Sequence, residues 1–409
     1  MKNYIFNTEV NLKEFDDFVI SSDQNSLFQC SSWALVKENW DHIFTSVTLD
    51  GEIVATALVL VRKMPFHTTL FYIPRGPVMD YKNEELVHFY LDNLKKLAKK
   101  HHAIAVRFDP AILTRVYSYK DRNNDIPLEN LDVVESLKKY GAIHSGFTTK
   151  IEESTQPRFN AEMNVTKDFE DHLEHKTMKC VRNAIHKGIE IKEGREEVKN
   201  LAVAMHYTEV RKQVALRSED YFAHMMDVYG DCGICMSASL NFPKQLKRLE
   251  DSINEKKEQL ALNPTKKQKA ALVREIAQDE KEYQKLEEDY KREGKDEVIT
   301  SGILACYNKN LMELFYMGNN PDYLRMYSSY LLYKLCLDRC VELGIEKCSF
   351  GGIEGTLDDG LTLFKSNWLM NVEEYIGEFN IVLNHPVYYA FNTVYPKVLK
   401  LAAKARGKK

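Results

Sequence analysis

The chain has 409 residues, 44% of them hydrophobic and 28% charged, with a formal net charge of −4. Such a length exceeds one ordinary hydrophobic core, so two α/β domains are expected. The near-balance of charge excludes a global basic field for nucleic acid, and any polyanion must be held by a local patch. The N-terminal run Met1 to Glu9 lacks the apolar core of a signal peptide, and no stretch approaches the ~18 apolar residues of a membrane span. Eight scattered cysteines read as thiols of a reducing compartment, which predicts a cytoplasmic protein. Cys232-Gly-Ile-Cys235 has CxxC spacing without the second pair that a zinc site needs, and core filling is the favoured reading.

Taken in chain order, a helix carrying Leu12, Phe15 and Phe18 precedes Gln29-Cys30-Ser31-Ser32-Trp33, whose serines are expected to cap a second helix through Lys37. The strands Thr45–Leu49 and Ile53–Val61 flank Asp50-Gly51, a strong hairpin signal. A strand over 69–73 stops at Pro74, a helix covers Glu84 to His101, and the strand Ala103–Asp109 stops at Pro110. These elements predict a mixed α/β sheet of acyltransferase type. The second half repeats the grammar: strands Ile234–Leu240 and Ile299–Tyr307, a strand over 311–316, a helix from Tyr327 to Leu343 and a strand over 346–350. The expected domains are 1–152, then 153–242 with 298–409, and two such halves imply a cleft for a large substrate.

Between the halves of the second domain, residues 243–297 form a Lys/Glu/Gln/Leu-rich arm. Apolar residues recur at helical spacing on one limb (Leu246, Leu249, Ile253, Leu260) and on the other (Leu272, Ile276, Tyr283, Leu286, Tyr290). Leu262-Asn263-Pro264-Thr265 separates the limbs; Pro264 forces a reversal and Thr265 can cap the next helix. An antiparallel coiled-coil hairpin ~30 Å long is predicted, inserted where a tight hairpin turn would otherwise stand. Insertion there is thermodynamically mild because loop-closure entropy grows only logarithmically.

No Walker A segment, GxGxxG turn, HExxH or GxSxG occurs. Gly351-Gly352-Ile353-Glu354-Gly355 is expected to be a simple strand-to-loop turn. Candidate chemistry lies in Tyr72-Ile73-Pro74-Arg75-Gly76-Pro77, which sets Arg75 in a Pro-rich turn. It lies also in Phe108-Asp109-Pro110, where a carboxylate ends a strand, and in Phe364-Lys365, a cation among aromatics. The C-terminal stretch carries Lys397, Lys400, Lys404, Arg406, Lys408 and Lys409 among apolar residues. Peripheral contact with an anionic membrane, RNA binding and a plain solvated helix all stay open for it.

The order of Gln29-x-x-x-Trp33-x-x-x-Lys37, YIPRGPVMDY, FDP, TQPR (Thr155 to Arg158), RNAIHKG (Arg182 to Gly188), FK and YIGEF (Tyr375 to Phe379), with the arm in the same place, resembles the FemABX family nearly end to end. The resemblance implies two GNAT-like acyltransferase domains with an inserted helical arm. It implies a non-ribosomal peptidyltransferase that moves Gly, Ala or Ser from aminoacyl-tRNA to the stem-peptide lysine amine of a peptidoglycan precursor. The acceptor would be the UDP-MurNAc-pentapeptide or its lipid-linked form, and no cofactor beyond the aminoacyl-tRNA co-substrate is implied.

By the same resemblance, Lys365 would stabilise the developing oxyanion or touch the donor, with Phe364 beside it as a substrate contact. Asp109 would handle a proton or position the acceptor amine, and Lys37 and Arg211 would grip the acceptor's phosphates. Thr208, Tyr221 and Arg75 are further substrate-binding candidates. Relatives read ERKG or ERDG where this chain has Val210-Arg211-Lys212-Gln213, so the local acceptor contacts differ. Two other readings stay open: an acyl-CoA-dependent GNAT-type N-acyltransferase, and a non-catalytic adaptor whose arm docks a protein partner.

Overall fold

The computed structural model describes residues 3–212 and 217–391, with Arg211 and Lys212 described in their backbone only. The C-terminal cations from Lys397 to Lys409 lie outside the described residues. Two compact units result: unit 1 takes Met1–Lys167, Tyr307–Glu313 and the chain from Cys340 onward, and unit 2 takes Asp168–Cys306 and Leu314–Arg339. No helix among the described residues is long and apolar enough to cross a membrane.

Unit 1 contains a mixed sheet in the order Tyr4–Asn7, Asp41–Leu49, Glu52–Met64, Thr68–Ile73, Ala103–Phe108, Phe379–Val382, Ile143–His144. Asp50 and Gly51 both take positive φ, at 53° and 91°, as a tight right-twisted hairpin requires. The helix Glu84–Lys100 has Asn83 as its cap, acids in its first turn and Lys99 and Lys100 in its last, each charge matched to the helix dipole. Its Leu86, Tyr90, Leu91 and Leu94 pack on Phe71, Ile73, Val106 and Phe108. Thr68–Ile73 and Ala103–Phe108 run parallel, Ile73 opposite Phe108, so both strands end side by side. Unit 1 also holds Phe159–Asn164 paired antiparallel with both Lys347–Ile353 and Asn371–Tyr375.

Two local expectations give way to tertiary contacts. Neither serine of Ser31-Ser32 caps the second helix; Asp16, from the preceding helix, accepts the Ser31 N–H at 2.7 Å and its hydroxyl at 2.5 Å. That helix spans Ser31–Val36. Gly351 and Gly352 form no turn but continue the strand Lys347–Ile353 past a bulge at Ser349.

In unit 2, Gly233–Asn241 pairs antiparallel with Ile189–Glu193 and with the strand beginning at Glu297. Asn241 and Glu297 are register partners, so the arm leaves and re-enters at one hairpin tip. Its helices are Phe242–Ala261 and Lys266–Glu293, joined through Asn263 at φ 54° and begun again by a Thr265–Gln268 capping box. Leu249, Ile253, Ile276 and Leu286 of the predicted stripe are buried. Polar residues complete the seam: Asp279 accepts from Ser252 at 3.0 Å and Lys256 at 2.6 Å.

At the arm's root, Asp289 is fully buried and meets Arg325, with Arg292 at 3.0 Å and Lys285 at 3.5 Å. Asp289→Ala strands these cations. Breaking a buried pair costs ~3–5 kcal/mol, and the partial exposure of the arginines lowers the expected loss to about 2 kcal/mol. Guanidinium unfolding followed by far-UV circular dichroism measures it; an unchanged midpoint would show that the cluster does not hold the arm.

Candidate active site

The site in unit 1 starts where two buried strands stop at prolines. Asp109 follows the strand Ala103–Phe108 and is 2% exposed. Its Oδ1 accepts the Arg75 backbone N–H at 2.6 Å, and its Oδ2 accepts the Tyr72 hydroxyl at 2.8 Å. Arg75 itself sits at φ 52°, a left-handed conformation that costs a side-chain-bearing residue about 1–2 kcal/mol and that the Asp109 contact holds. Burial pushes the Asp109 carboxyl up to about 7, against the lowering effect of the Arg75 charge and the two donors. Burial, and then the adjacent carboxylate, raise the Tyr72 phenol well above its ordinary value.

Next to Arg75, a Cβ on Gly76 would fall 2.6 Å from the Gln29 amide. Gln29 is fully buried, accepts the Leu58 N–H at 3.0 Å and donates to the Pro74 carbonyl at 2.5 Å. The Gln of the first motif thus braces the Pro-rich turn of the second. The Arg75 guanidinium donates to the Pro157 carbonyl at 2.8 Å and lies 3.8 Å from the Tyr375 ring. Thr155 donates its N–H and hydroxyl to Glu378 at 3.0 and 2.7 Å, and Arg107 reaches Glu378 at 3.3 Å. Arg158 pairs with Glu374 at 3.2 Å. Segments separated by up to 300 residues of sequence therefore meet in one buried polar network.

Lys365 closes the short helix Gly360–Lys365, which Asp359 caps. The lysine is 4% exposed, and its Nζ donates to the carbonyls of Gly351 at 3.1 Å and Gly352 at 2.9 Å. A Cβ on Gly352 would stand 2.4 Å from the Pro157 ring. Pro157 thus lies against Gly352 as well as accepting from Arg75. Two backbone carbonyls fix the Lys365 amine in position, and a group set in advance is what stabilising charge that develops during a reaction requires.

Sequence reasoning missed the carboxylates of the central strands. Glu162 and Glu373 are buried, with Lys347 3.1 Å from Glu162 and the Tyr375 hydroxyl donating to Glu373 at 2.9 Å. Burial, and then the neighbouring Glu162, hold the Glu373 carboxyl well above the usual carboxylate range. Both face a cavity of about 290 Å³ that Asp23, Glu346, Lys347 and Tyr375 also line. The available signal was weak: an acidic Glu373-Glu374 pair inside the short strand Asn371–Tyr375.

Of the other candidates, Lys37 follows the helix Ser31–Val36 and lies in unit 1, its Nζ 4.5 Å from the Trp33 ring. Phe364 is half-buried beside Lys365. Thr208 and Tyr221 belong to unit 2, both half-buried; the Tyr221 hydroxyl lies 3.4 Å from that of Tyr316, and Arg217 lies 5.0 Å from its ring. The Arg211 side chain lies outside the described residues. The structure therefore brings Asp109, Arg75 and Tyr72 into one network, while Lys365 is held separately by the Gly351 and Gly352 carbonyls.

A model of the FemAB family matches residues 10–396. The chain is 27% identical over 410 residues to aminoacyltransferase FemB of Staphylococcus epidermidis (strain ATCC 12228), covering 95% of this chain and 97% of the relative. It is 27% identical over 424 residues to the lipid II:glycine glycyltransferase of Staphylococcus aureus (strain MRSA252), covering 97% of both. The crystal structure of FemX superposes with a TM-score of 0.74 at 25% identity, over 94% of this chain and 98% of that one. A tandem GNAT protein from the clavulanic acid biosynthesis pathway shares the fold at 8% identity, with a TM-score of 0.50 over 92% of this chain and 98% of that one.

Proposed function

Because the chain belongs to the FemAB family, with the GNAT-like fold of an enzyme that transfers amino acids, we propose that it builds peptidoglycan interpeptide bridges. In this reading it moves an amino acid from aminoacyl-tRNA to the side-chain amine of the stem-peptide lysine. Glycine is the favoured donor residue and the lipid-linked precursor the favoured acceptor, since a relative is named for both. The protein would work on the cytoplasmic side of the membrane without a further cofactor.

The observation that carries the reading is the convergence of the YIPRGP, FDP, TQPR and YIGEF segments on the polar network around Asp109 and Arg75. In the proposed reaction the neutral amine attacks the ester carbonyl, a C–N bond forms and the bond to the ribose oxygen breaks. The amine loses a proton and the ribose hydroxyl gains one. Lys365 would face the transient oxyanion, while Asp109, both of whose oxygens are engaged, would act by positioning Arg75 and Tyr72.

Mass spectrometry of a lysine-containing precursor, incubated with the full chain and each charged tRNA in turn, tests this. The expected product is heavier by one amino-acid residue and absent after RNase treatment. Transfer from an acyl-CoA, or transfer that survives RNase, would overturn it.

A further inference from the structure

The strands Glu52–Met64 and Thr68–Ile73 are joined through Pro65-Phe66-His67, with Phe66 and His67 at φ 61° and 55°. Phe66 is 91% exposed, at the tip of a hairpin where no fold contact accounts for an aromatic ring. Basic residues lie on the neighbouring segments. Arg62 and Lys63 are exposed on the adjoining strand. The Thr69 N–H donates to the His102 carbonyl at 3.1 Å and its hydroxyl to the His101 carbonyl at 2.8 Å. These bonds place the exposed run Lys99-Lys100-His101-His102 beside the tip. Asp41 meets this group through Lys63 at 3.0 Å.

The same end of the sheet receives the last described helix. The N–H groups of Leu383 and Asn384 donate to the Ile104 carbonyl at 2.9 and 3.0 Å. Val387, Tyr388 and Phe391 then pack on Leu70, Ile104 and Ala105 with Met64, leaving His385 exposed and Tyr389 66% exposed. Beyond this helix the sequence carries Lys397, Lys400, Lys404, Arg406, Lys408 and Lys409 and no Asp or Glu.

We propose that this end of unit 1, centred on Phe66, docks on an anionic lipid bilayer, with the ring entering the headgroup–acyl boundary and the lysines facing lipid phosphates. An interfacial aromatic flanked by cations combines apolar burial with electrostatic attraction to anionic lipid. Single-stranded nucleic acid instead takes a groove with successive stacking rings, whereas Phe66 stands on a convex tip. The inference goes beyond the transferase reading by giving it a surface at which a lipid-linked acceptor is met.

Co-sedimentation of the full chain with vesicles, free of acceptor and tRNA, separates failure of this inference from failure of that reading. Binding is expected on phosphatidylcholine mixed equally with phosphatidylglycerol and not on phosphatidylcholine alone. Phe66→Ser should weaken it about tenfold. The triple change Lys63→Gln, Lys99→Gln, Lys100→Gln should weaken it roughly a hundredfold at low salt, about fivefold per cation, with melting temperatures lowered by only a few degrees, since the lysines lose just an exposed ion pair and helix-end charges. Absence of wild-type binding to anionic vesicles would overturn the proposal. So would binding unchanged in both variants, including the case in which the six C-terminal cations account for all of it. A triple variant that lost tRNA affinity but kept vesicle binding would make this an RNA surface and overturn it equally.

Discussion

Lys365→Met is expected to lower the rate constant for transfer by about a hundred- to a thousandfold, the usual effect of removing one preorganised group that stabilises an oxyanion. Methionine preserves most of the stem's volume while removing the charge. The substitution also leaves the Gly351 and Gly352 carbonyls without their donor, at about 1–3 kcal/mol for each buried group left unsatisfied. A melting curve must therefore accompany the kinetics. Single-turnover rates with saturating donor separate the roles: a fall in the rate constant itself places the cation in the transition state. A raised donor KM with the rate constant intact would make Lys365 a donor-binding residue instead. A rate within about threefold of wild type would remove Lys365 from the chemistry altogether.

Asp109→Asn is expected to flatten the dependence of stability on pH. Burial raises this carboxyl from an ordinary 3.8 to about 7 in the folded chain. A group raised on folding contributes stability that is fully present below its unfolded value and is lost as pH rises through the folded one. Wild-type stability should therefore decline from about pH 4 to about pH 8, with a contribution from Asp109 on the order of 4 kcal/mol. Glu313, raised to about 7 mainly by desolvation, acts in the same direction, so the informative quantity is the difference between wild type and variant.

Near pH 5 the variant should be the less stable by at most about 1 kcal/mol, because Asp109 is then a neutral acid and an amide can still accept the Arg75 N–H while donating to the Tyr72 hydroxyl. Near pH 8 the gap should narrow or reverse. Urea unfolding at a series of pH values measures this, and parallel curves across the range would show that Asp109 does not carry the shift.

Much of the architecture was legible in local pattern. The Asp50-Gly51 hairpin, the arm's apolar stripe and the Thr265 cap arise from interactions among residues a few positions apart, so spacing alone predicts them. The same holds for the strand ends at Pro74 and Pro110. The order of YIPRGP, FDP, TQPR and YIGEF likewise pointed to the FemAB family before any coordinate. The sequence alone thus determined many of the elements, the arm's address at a hairpin tip and the kin of the chain.

Tertiary structure decided what those motifs do for one another. That Gln29 braces Gly76, that both Asp109 oxygens are occupied, and that Lys365 rests on strand carbonyls all depend on register between distant segments. The same is true of the unpredicted acids. Glu162, Glu373 and Asp289 look like solvated charges in sequence, because nothing local records that these side chains are covered. Burial is a property of what packs against a residue, and for these side chains the packing partners come from remote parts of the chain. Their desolvation, and with it the raised Glu373 carboxyl, exists only once the chain has assembled.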